Sequence, residues 1–284
     1  MIKTSKALFH HLYQRILPAA YTPGEASTIA FLILEHYFHC DRIAITLDKP
    51  LTNELPTDIL TDIIERLLQQ EPIQYILKEA PFMSRDFYVD PAVLIPRPET
   101  EELITHILQE NNNKAGLAIL DIGTGSGCIA ITLAKELPTA QVDGLDISTQ
   151  ALEVAKHNAA RWQATVNWIQ ADILNDPIPD KKWDIFVSNP PYVCFSEKQT
   201  MQKRVLAYEP PQALFVSDDT PLIFYERIIE LAKTHLKSKG KLYFEINEKF
   251  GAILANQLAK NQFKDIKIGK DLQGKDRWLK GSIS

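Results

Sequence analysis

The sequence predicts an α/β protein with a mostly parallel sheet, preceded by a small helical bundle. Three observations predict it. From Leu117 onward, apolar strand-like runs alternate with amphipathic helical runs, the pattern of parallel strands joined by crossover helices. The first of those strands ends in a glycine loop, Gly123-Thr124-Gly125-Ser126-Gly127, which opens the following helix. Residues 1–80, by contrast, show helical spacing of apolar side chains and nothing that resembles a strand.

The elements follow in chain order. Leu8, Leu12 and Ile16 mark one helix, and Ile29, Ile33 and Tyr37 a second; Pro18, Pro23-Gly24 and Pro50 punctuate them. Glu54 to Gln70 is the clearest helix, with Ile59, Leu60, Ile63, Ile64, Leu67 and Leu68 on one stripe. Phe82-Met83, Phe87–Val89 and Val93–Ile95 read as short strands, with Asp90-Pro91 as the turn of a β-hairpin linker over 81–97. Pro98 suits the first turn of a helix, and Glu99, Glu101 and Glu102 suit its positive end. Then come strands at Leu117–Ile122, Ala140–Leu145, Thr165–Gln170, Trp183–Ser188, Lys241–Ile246, Phe263–Ile268 and Arg277–Lys280. Helices are expected at Ser126–Glu136, Ser148–Arg161 (capped by Ser148), Pro221–Lys237 and Phe250–Lys260. The division is therefore a bundle over 1–80, a hairpin linker over 81–97 and a sheet domain over 98–284.

Bulk properties narrow the function classes. The 284 residues are 45% hydrophobic and 24% charged, with a net charge of −5. That balance argues against a protein held on nucleic acid by a broad cationic surface. Cys40, Cys128 and Cys194 are far apart and odd in number, which suits a reducing compartment and forms no disulfide or metal pattern. No apolar run approaches the roughly 20 residues that span a bilayer, and the N-terminus carries no signal-like core. A cytoplasmic protein without a membrane partner is expected. His10, His11, His36 and His39 sit in different helical runs with no carboxylate or cysteine pattern beside them, so no metal site is expected.

The chemistry concentrates at strand ends. The glycine loop has the spacing G-x-G-x-G, and Cys128 stands where a dinucleotide fingerprint would want its third glycine. Asp121 precedes the loop, and Asp146 ends the second strand, where a carboxylate accepts hydrogen bonds from both ribose hydroxyls of a nucleoside. Asp172, after the third strand, is placed to accept from an adenine amine, with Ile173 packing on the ring; a helix-cap or turn role suits it as well. The fourth strand runs into Asn189-Pro190-Pro191-Tyr192. Two prolines cannot extend a ladder, so this stiff loop leaves the Asn189 side chain and the Pro190 carbonyl at the carboxyl edge of the sheet, with Tyr192 beside them. Such a loop offers a planar amide two acceptors at fixed positions. Arg97, held between two prolines, serves equally to bind an anion or to hold its loop by bonding carbonyls. The long connection through Tyr208–Val216 is rich in proline and aromatics and reads as part of a substrate wall.

Gly123–Gly127, Asp146 and Asn189–Tyr192, in that order, resemble a class I S-adenosylmethionine-dependent methyltransferase of the amino-methylating branch. Four further stretches are similar to the PrmC/HemK family: Glu71-Pro72-Ile73-Gln74-Tyr75-Ile76, Leu94-Ile95-Pro96-Arg97-Pro98-Glu99-Thr100, Tyr208-Glu209-Pro210-Pro211 with Ala213-Leu214, and Asp271–Arg277. Ser238-Lys239-Gly240 departs from the family's usual Pro-Gly-Gly turn. The resemblance implies a Rossmann-like, seven-stranded sheet and transfer of a methyl group from S-adenosyl-L-methionine, which leaves as S-adenosyl-L-homocysteine. The acceptor it implies is N5 of the glutamine in the GGQ motif of peptide chain release factors 1 and 2. It assigns cofactor binding to Gly123, Thr124, Gly125, Ser126, Gly127, Asp146, Asp172, Ile173 and Asn189. It assigns catalysis to Asn189, Pro190 and Tyr192, and substrate contacts to those residues with Pro191 and Arg97. A monomer without stable nucleic acid is expected, with the bundle recognising the protein substrate. A ribosomal-protein glutamine methyltransferase and a nucleic-acid adenine-N6 methyltransferase remain alternatives at this point.

Overall fold

The structure, a computed structural model, describes residues 2–52, 55–271 and 274–284. Glu54, the expected start of a helix, and Leu272-Gln273 of the C-terminal motif lie outside the described residues. The chain divides into two compact units, Met1–Glu79 with Gln202–Tyr208, and Ala80–Met201 with Glu209–Ser284.

The first unit is helical. In α1 (Ser5–Ile16), Leu8, Leu12 and Ile16 lie four residues apart and are all buried. In α2 (Pro23–Phe38), Thr22 and Glu25 form a capping box: the Thr22 hydroxyl accepts from the Glu25 N–H, and Glu25 Oε2 accepts from the Thr22 N–H at 2.8 Å. Two short helices, α3 (Arg42–Thr46) and α5 (Ile73–Leu77), flank α4 (Thr57–Leu68). The stripe expected on α4 is wider than the face the unit buries. Ile63, Ile64 and Leu67 are buried and Leu60 packs partly against them, while Ile59 and Leu68 are 39% and 45% exposed. The late segment Gln202–Tyr208 completes this unit: Arg204 pairs with Glu25, and the Tyr208 hydroxyl donates to the Gln69 carbonyl at 3.0 Å.

The second unit opens with a hairpin of β1 (Ala80–Phe82) and β2 (Arg85–Phe87). Its turn is Met83-Ser84, with φ of 47° and 59°, rather than Asp90-Pro91. Neither residue carries the glycine or asparagine signal of such a turn. Residues 88–97 form no strand; there the Asp90 carboxylate accepts from the Ala92 N–H at 2.9 Å. The chain continues through α6 (Pro98–Asn111), β3 (Ala118–Ile122), α7 (Cys128–Glu136), β4 (Gln141–Asp146), α8 (Thr149–Trp162), β5 (Val166–Gln170) and β6 (Trp183–Ser188). It then runs through β7 (Val193–Cys194), α9 (Lys203–Tyr208, in the first unit), β8 (Phe215–Val216), α10 (Ile223–His235), β9 (Leu236–Glu245), α11 (Gly251–Lys260), β10 (Lys264–Lys270) and β11 (Asp276–Ser282). The parallel pair β7–β8 is not foreseen by the sequence pattern.

Seven strands form one sheet in the order β10-β11-β9-β6-β3-β4-β5. The five from β9 to β5 are parallel, and β11 and β10 run antiparallel to their neighbours. Residue alternation feeds two cores. Leu120, Phe186, Leu242 and Phe244 pack with α10 and α11, while Ile119, Ile185, Val187 and Tyr243 pack with α6 and α7. From β3 the chain winds outward through β4 and β5, then returns to place β6 on the other side of β3. That reversal opens a crevice at the carboxyl ends of β3 and β6, where open α/β sheets bind ligands.

Gly144, in β4, faces Trp168: a Cβ there would lie 2.5 Å from Trp168 Cζ3. Gly144→Ala should therefore cost about 1–3 kcal/mol of stability through overpacking. The same change in a Trp168→Leu background should cost distinctly less, and urea unfolding of the four proteins checks this.

Candidate active site

A cavity occupies the crevice. Its wall includes Ile122–Ser126 from the end of β3 onward, Asp146 and Ile147 at the end of β4, Asp172 and Ile173 after β5, and Asn189–Pro191 after β6. Each side chain arrives because its strand ends there. Gly123 and Gly125 hold positive φ, 75° and 53°, so the loop doubles back across the edge. The Gly123 and Thr124 N–H groups both donate to the Leu145 carbonyl, at 2.8 and 2.9 Å. Asp146 secures the rest: Oδ2 accepts from the Gly125 N–H and Oδ1 from the Ser148 N–H, both at 2.9 Å. Burial pushes the Asp146 carboxyl up, against those bonds.

Not every expected residue faces the cavity. Gly127 is not among the lining residues. A Cβ there would lie 2.9 Å from Ile131 Cδ1, so this glycine is required by packing and by the left-handed start of α7. Asp172 does line the cavity, and it also organises its own turn: Oδ1 accepts from the Leu174 N–H at 2.9 Å and Oδ2 from Asn175 Nδ2 at 2.7 Å. Arg97 lines the cavity and pairs with Glu209, a buried carboxylate that also accepts from the Ile95 N–H at 3.4 Å. This pins the proline-rich connection, of which Gln212 and Ala213 reach the wall.

The Asn-Pro-Pro-Tyr loop is built as the sequence suggests, with partners it does not announce. Ser188 Oγ donates to the Ile122 carbonyl at 2.7 Å, tying the ends of β6 and β3 together. Asn189 Nδ2 donates to Thr100 Oγ1 at 3.3 Å. Tyr192, unlike the three residues before it, is not among the lining residues, and its hydroxyl donates to Glu245 Oε1 at 3.1 Å. Glu245 Oε2 accepts from the Thr100 hydroxyl at 2.5 Å. Burial pushes the Glu245 carboxyl up, while the Thr100 and Tyr192 hydroxyls hold it down. Burial, and then the neighbouring Glu245, raise the Tyr192 phenol well above its ordinary value. Sequence reasoning misses Thr100 and Glu245 as a pair. The only hint is an acidic residue ending an otherwise apolar strand, in Leu242-Tyr243-Phe244-Glu245.

The donor set fits a nucleoside-based sulfonium cofactor. Two carboxylates, an apolar floor of Ile147, Ala151 and Ile173, and a glycine loop whose Gly125 would meet nothing within 4 Å at Cβ together make room for a ribose and a base. Among the described lining residues the cation is Arg97, whose Nη2 pairs with Glu209. No helix among the described residues is long and apolar enough to cross a membrane. Among them, no group of three or more histidine, cysteine or acidic side chains is arranged to hold a metal ion.

The comparisons with known proteins agree with this fold. Residues 99–215 match the "methyltransferase small domain" family and residues 11–77 the "PrmC N-terminal domain" family. A methyltransferase from Pyrococcus furiosus superposes with a TM-score of 0.53 at 20% identity, covering 78% of this chain and 98% of that one, a likeness of fold. The sheet and the glycine loop define a class I S-adenosylmethionine methyltransferase. A release factor glutamine methyltransferase of Bacteroides thetaiotaomicron is 46% identical over 91% of this chain and 93% of its own length. That of Flavobacterium psychrophilum is 42% identical over 94% and 95%. The chain belongs to the release factor glutamine methyltransferase family.

Asp121 beneath the glycine loop yields a pH prediction. It is fully buried, and burial raises its carboxyl to about 7, although Oδ2 accepts from Thr124 Oγ1 at 2.6 Å and the Ala130 N–H at 3.2 Å. Between about pH 4 and 7 the folded state then holds a proton that the unfolded state has released. Stability should fall as pH rises through that window, by up to about 1.4 kcal/mol per unit. Asp121→Asn should flatten this fall, as read from urea unfolding at several pH values.

Proposed function

We propose that the protein methylates the side-chain amide N5 of the glutamine in the GGQ motif of release factors 1 and 2, and so tunes translation termination. The observation that carries the reading is the pairing of Asn189 and Pro190 on the cavity wall, at the end of β6 and facing the glycine loop after β3. Membership of the family supports the choice of acceptor. We place the enzyme in the cytoplasm as a monomer, with the helical unit contributing to recognition of the protein substrate.

A carboxamide nitrogen is a weak nucleophile because its lone pair is delocalised into the carbonyl. Asn189 Oδ1 and the Pro190 carbonyl each accept one N–H of the substrate amide, which fixes the nitrogen in place and turns its face toward the reacting carbon. As the nitrogen pyramidalises, its N–H groups become more acidic. The same two acceptors then bind more tightly than they did in the ground state, which is where rate is gained. Once the new bond has formed, one N–H proton passes to water. S-adenosyl-L-methionine, when bound, supplies the electrophilic methyl and leaves as S-adenosyl-L-homocysteine. Gly123, Thr124, Gly125 and Ser126 would cradle it, Asp146 would accept from the ribose hydroxyls, and Asp172 with Ile173 would meet the base. Asp146 and Asp172 already accept bonds from the chain, and each carboxylate oxygen keeps a further acceptor site. Arg97 positions the wall through Glu209 and borders the substrate from there.

Asn189→Ala tests the reading. Turnover with release factor should fall at least about 100-fold, the size of effect seen when a single preorganised group is removed from a transition state. The dissociation constant for S-adenosyl-L-methionine, measured by calorimetry, should stay within about threefold. Equal losses in both would contradict the clamp.

A further inference from the structure

The Asn189 amide has two ends of the same shape and opposite hydrogen-bonding sense. With Oδ1 toward the acceptor glutamine it binds an N–H; with Nδ2 there it would set donor against donor. Nothing in the Asn-Pro-Pro-Tyr tetrapeptide decides between the two. The side chains behind it do.

Thr100 Oγ1 lies 3.3 Å from Asn189 Nδ2 and 2.5 Å from Glu245 Oε2. A hydroxyl has one proton to give. The hydroxyl donates to Glu245 Oε2, and Glu245 takes the Tyr192 hydroxyl on its other oxygen at 3.1 Å. Thr100 Oγ1 is left as an acceptor toward Asn189, which must turn Nδ2 to it and Oδ1 away. We propose that Thr100 and Glu245 are positioning residues for amide methylation: their hydrogen-bond chain sets which end of the Asn189 amide meets the substrate. The proposal rests on the reading of Asn189 Oδ1 as the acceptor for the glutamine N–H.

The placement of both residues supports this. Thr100 is 3% exposed in the first turn of α6, and Glu245 is 2% exposed as the last residue of β9. The register pairs Ser188 of β6 with Phe244 of β9, so Asn189 and Glu245 emerge side by side. The Glu245 backbone is held too, its carbonyl accepting from the Tyr225 hydroxyl at 3.0 Å. A carboxylate in this position costs desolvation that an apolar pair would avoid. What it adds is a direction for the chain of protons leading to Asn189.

The test compares wild type, Thr100→Val, Thr100→Ser and Glu245→Gln in methyl transfer to purified release factor, with calorimetry for S-adenosyl-L-methionine. Valine keeps the shape of threonine and removes the hydroxyl. Glutamine keeps the shape of glutamate, replaces the buried carboxyl with an amide, and allows a donor to face Thr100 so that the chain can reverse. Thr100→Val and Glu245→Gln should each lower kcat at least tenfold, with cofactor affinity within threefold of wild type. Thr100→Ser, which restores the hydroxyl, should keep at least a third of wild-type kcat. A smaller loss in kcat, a parallel loss of cofactor binding, or failure of serine to rescue would overturn the proposal. If Thr100→Val does not fold, Glu245→Gln decides by the same thresholds. Wild type that transfers no label to release factor refutes the functional reading itself, an outcome distinct from wild type and variants that all turn over alike.

Discussion

Two adjacent parallel strands whose connections leave in opposite directions govern this molecule. β3 and β6 end at one edge, tied there by the Ser188 hydroxyl on the Ile122 carbonyl. Because the chain winds away through β4 and β5 before returning, no crossover covers that edge. The glycine loop after β3 and the proline loop after β6 therefore face a common space. Every functional side chain depends on this. Asp146 reaches the loop because β4 is the next strand on one side, and Glu245 comes within one hydroxyl, that of Thr100, of Asn189 because β9 is the next strand on the other.

The cavity wall offers acceptors: the carboxylates of Asp146 and Asp172 and the carbonyl loop at Asn189–Pro190. Behind the wall, Asp121 and Glu245 are pushed up by burial, as Asp146 is, and each is held by N–H or O–H donors of the chain itself. An environment of this kind suits a cationic cofactor with a sugar and a base. It also suits a neutral substrate group that gives N–H bonds, as a carboxamide does.

Much of this was legible in the sequence. Alternation of strands and helices predicts the parallel sheet, and each of the seven sheet strands lies where an apolar run stands, with ends shifted by a few residues. The longest shift is in β9, which begins at Leu236 although the apolar run starts after Gly240. In that extension Leu236 pairs with Trp183 of β6, and the register shifts before Lys241. The hairpin turn at Met83-Ser84 was illegible because its left-handed residues are neither glycine nor asparagine. Gly127 also has a packing role that the loop pattern does not announce, since a Cβ there would meet Ile131 and Ala155, neighbours brought close only in three dimensions. Thr100 and Glu245 are 145 residues apart in the chain, and only the packing of α6 on β9 brings them together.

The central claim is that the Asn-Pro-Pro-Tyr clamp serves a protein glutamine rather than a nucleobase. The most direct measurement is transfer of label from S-adenosyl-L-methionine to four acceptors offered in parallel: release factor, its GGQ glutamine-to-alanine form, DNA and RNA. The account predicts label on the unaltered factor alone. Label on DNA or RNA, with none on the factor, would contradict it and reassign the clamp to an exocyclic base amine.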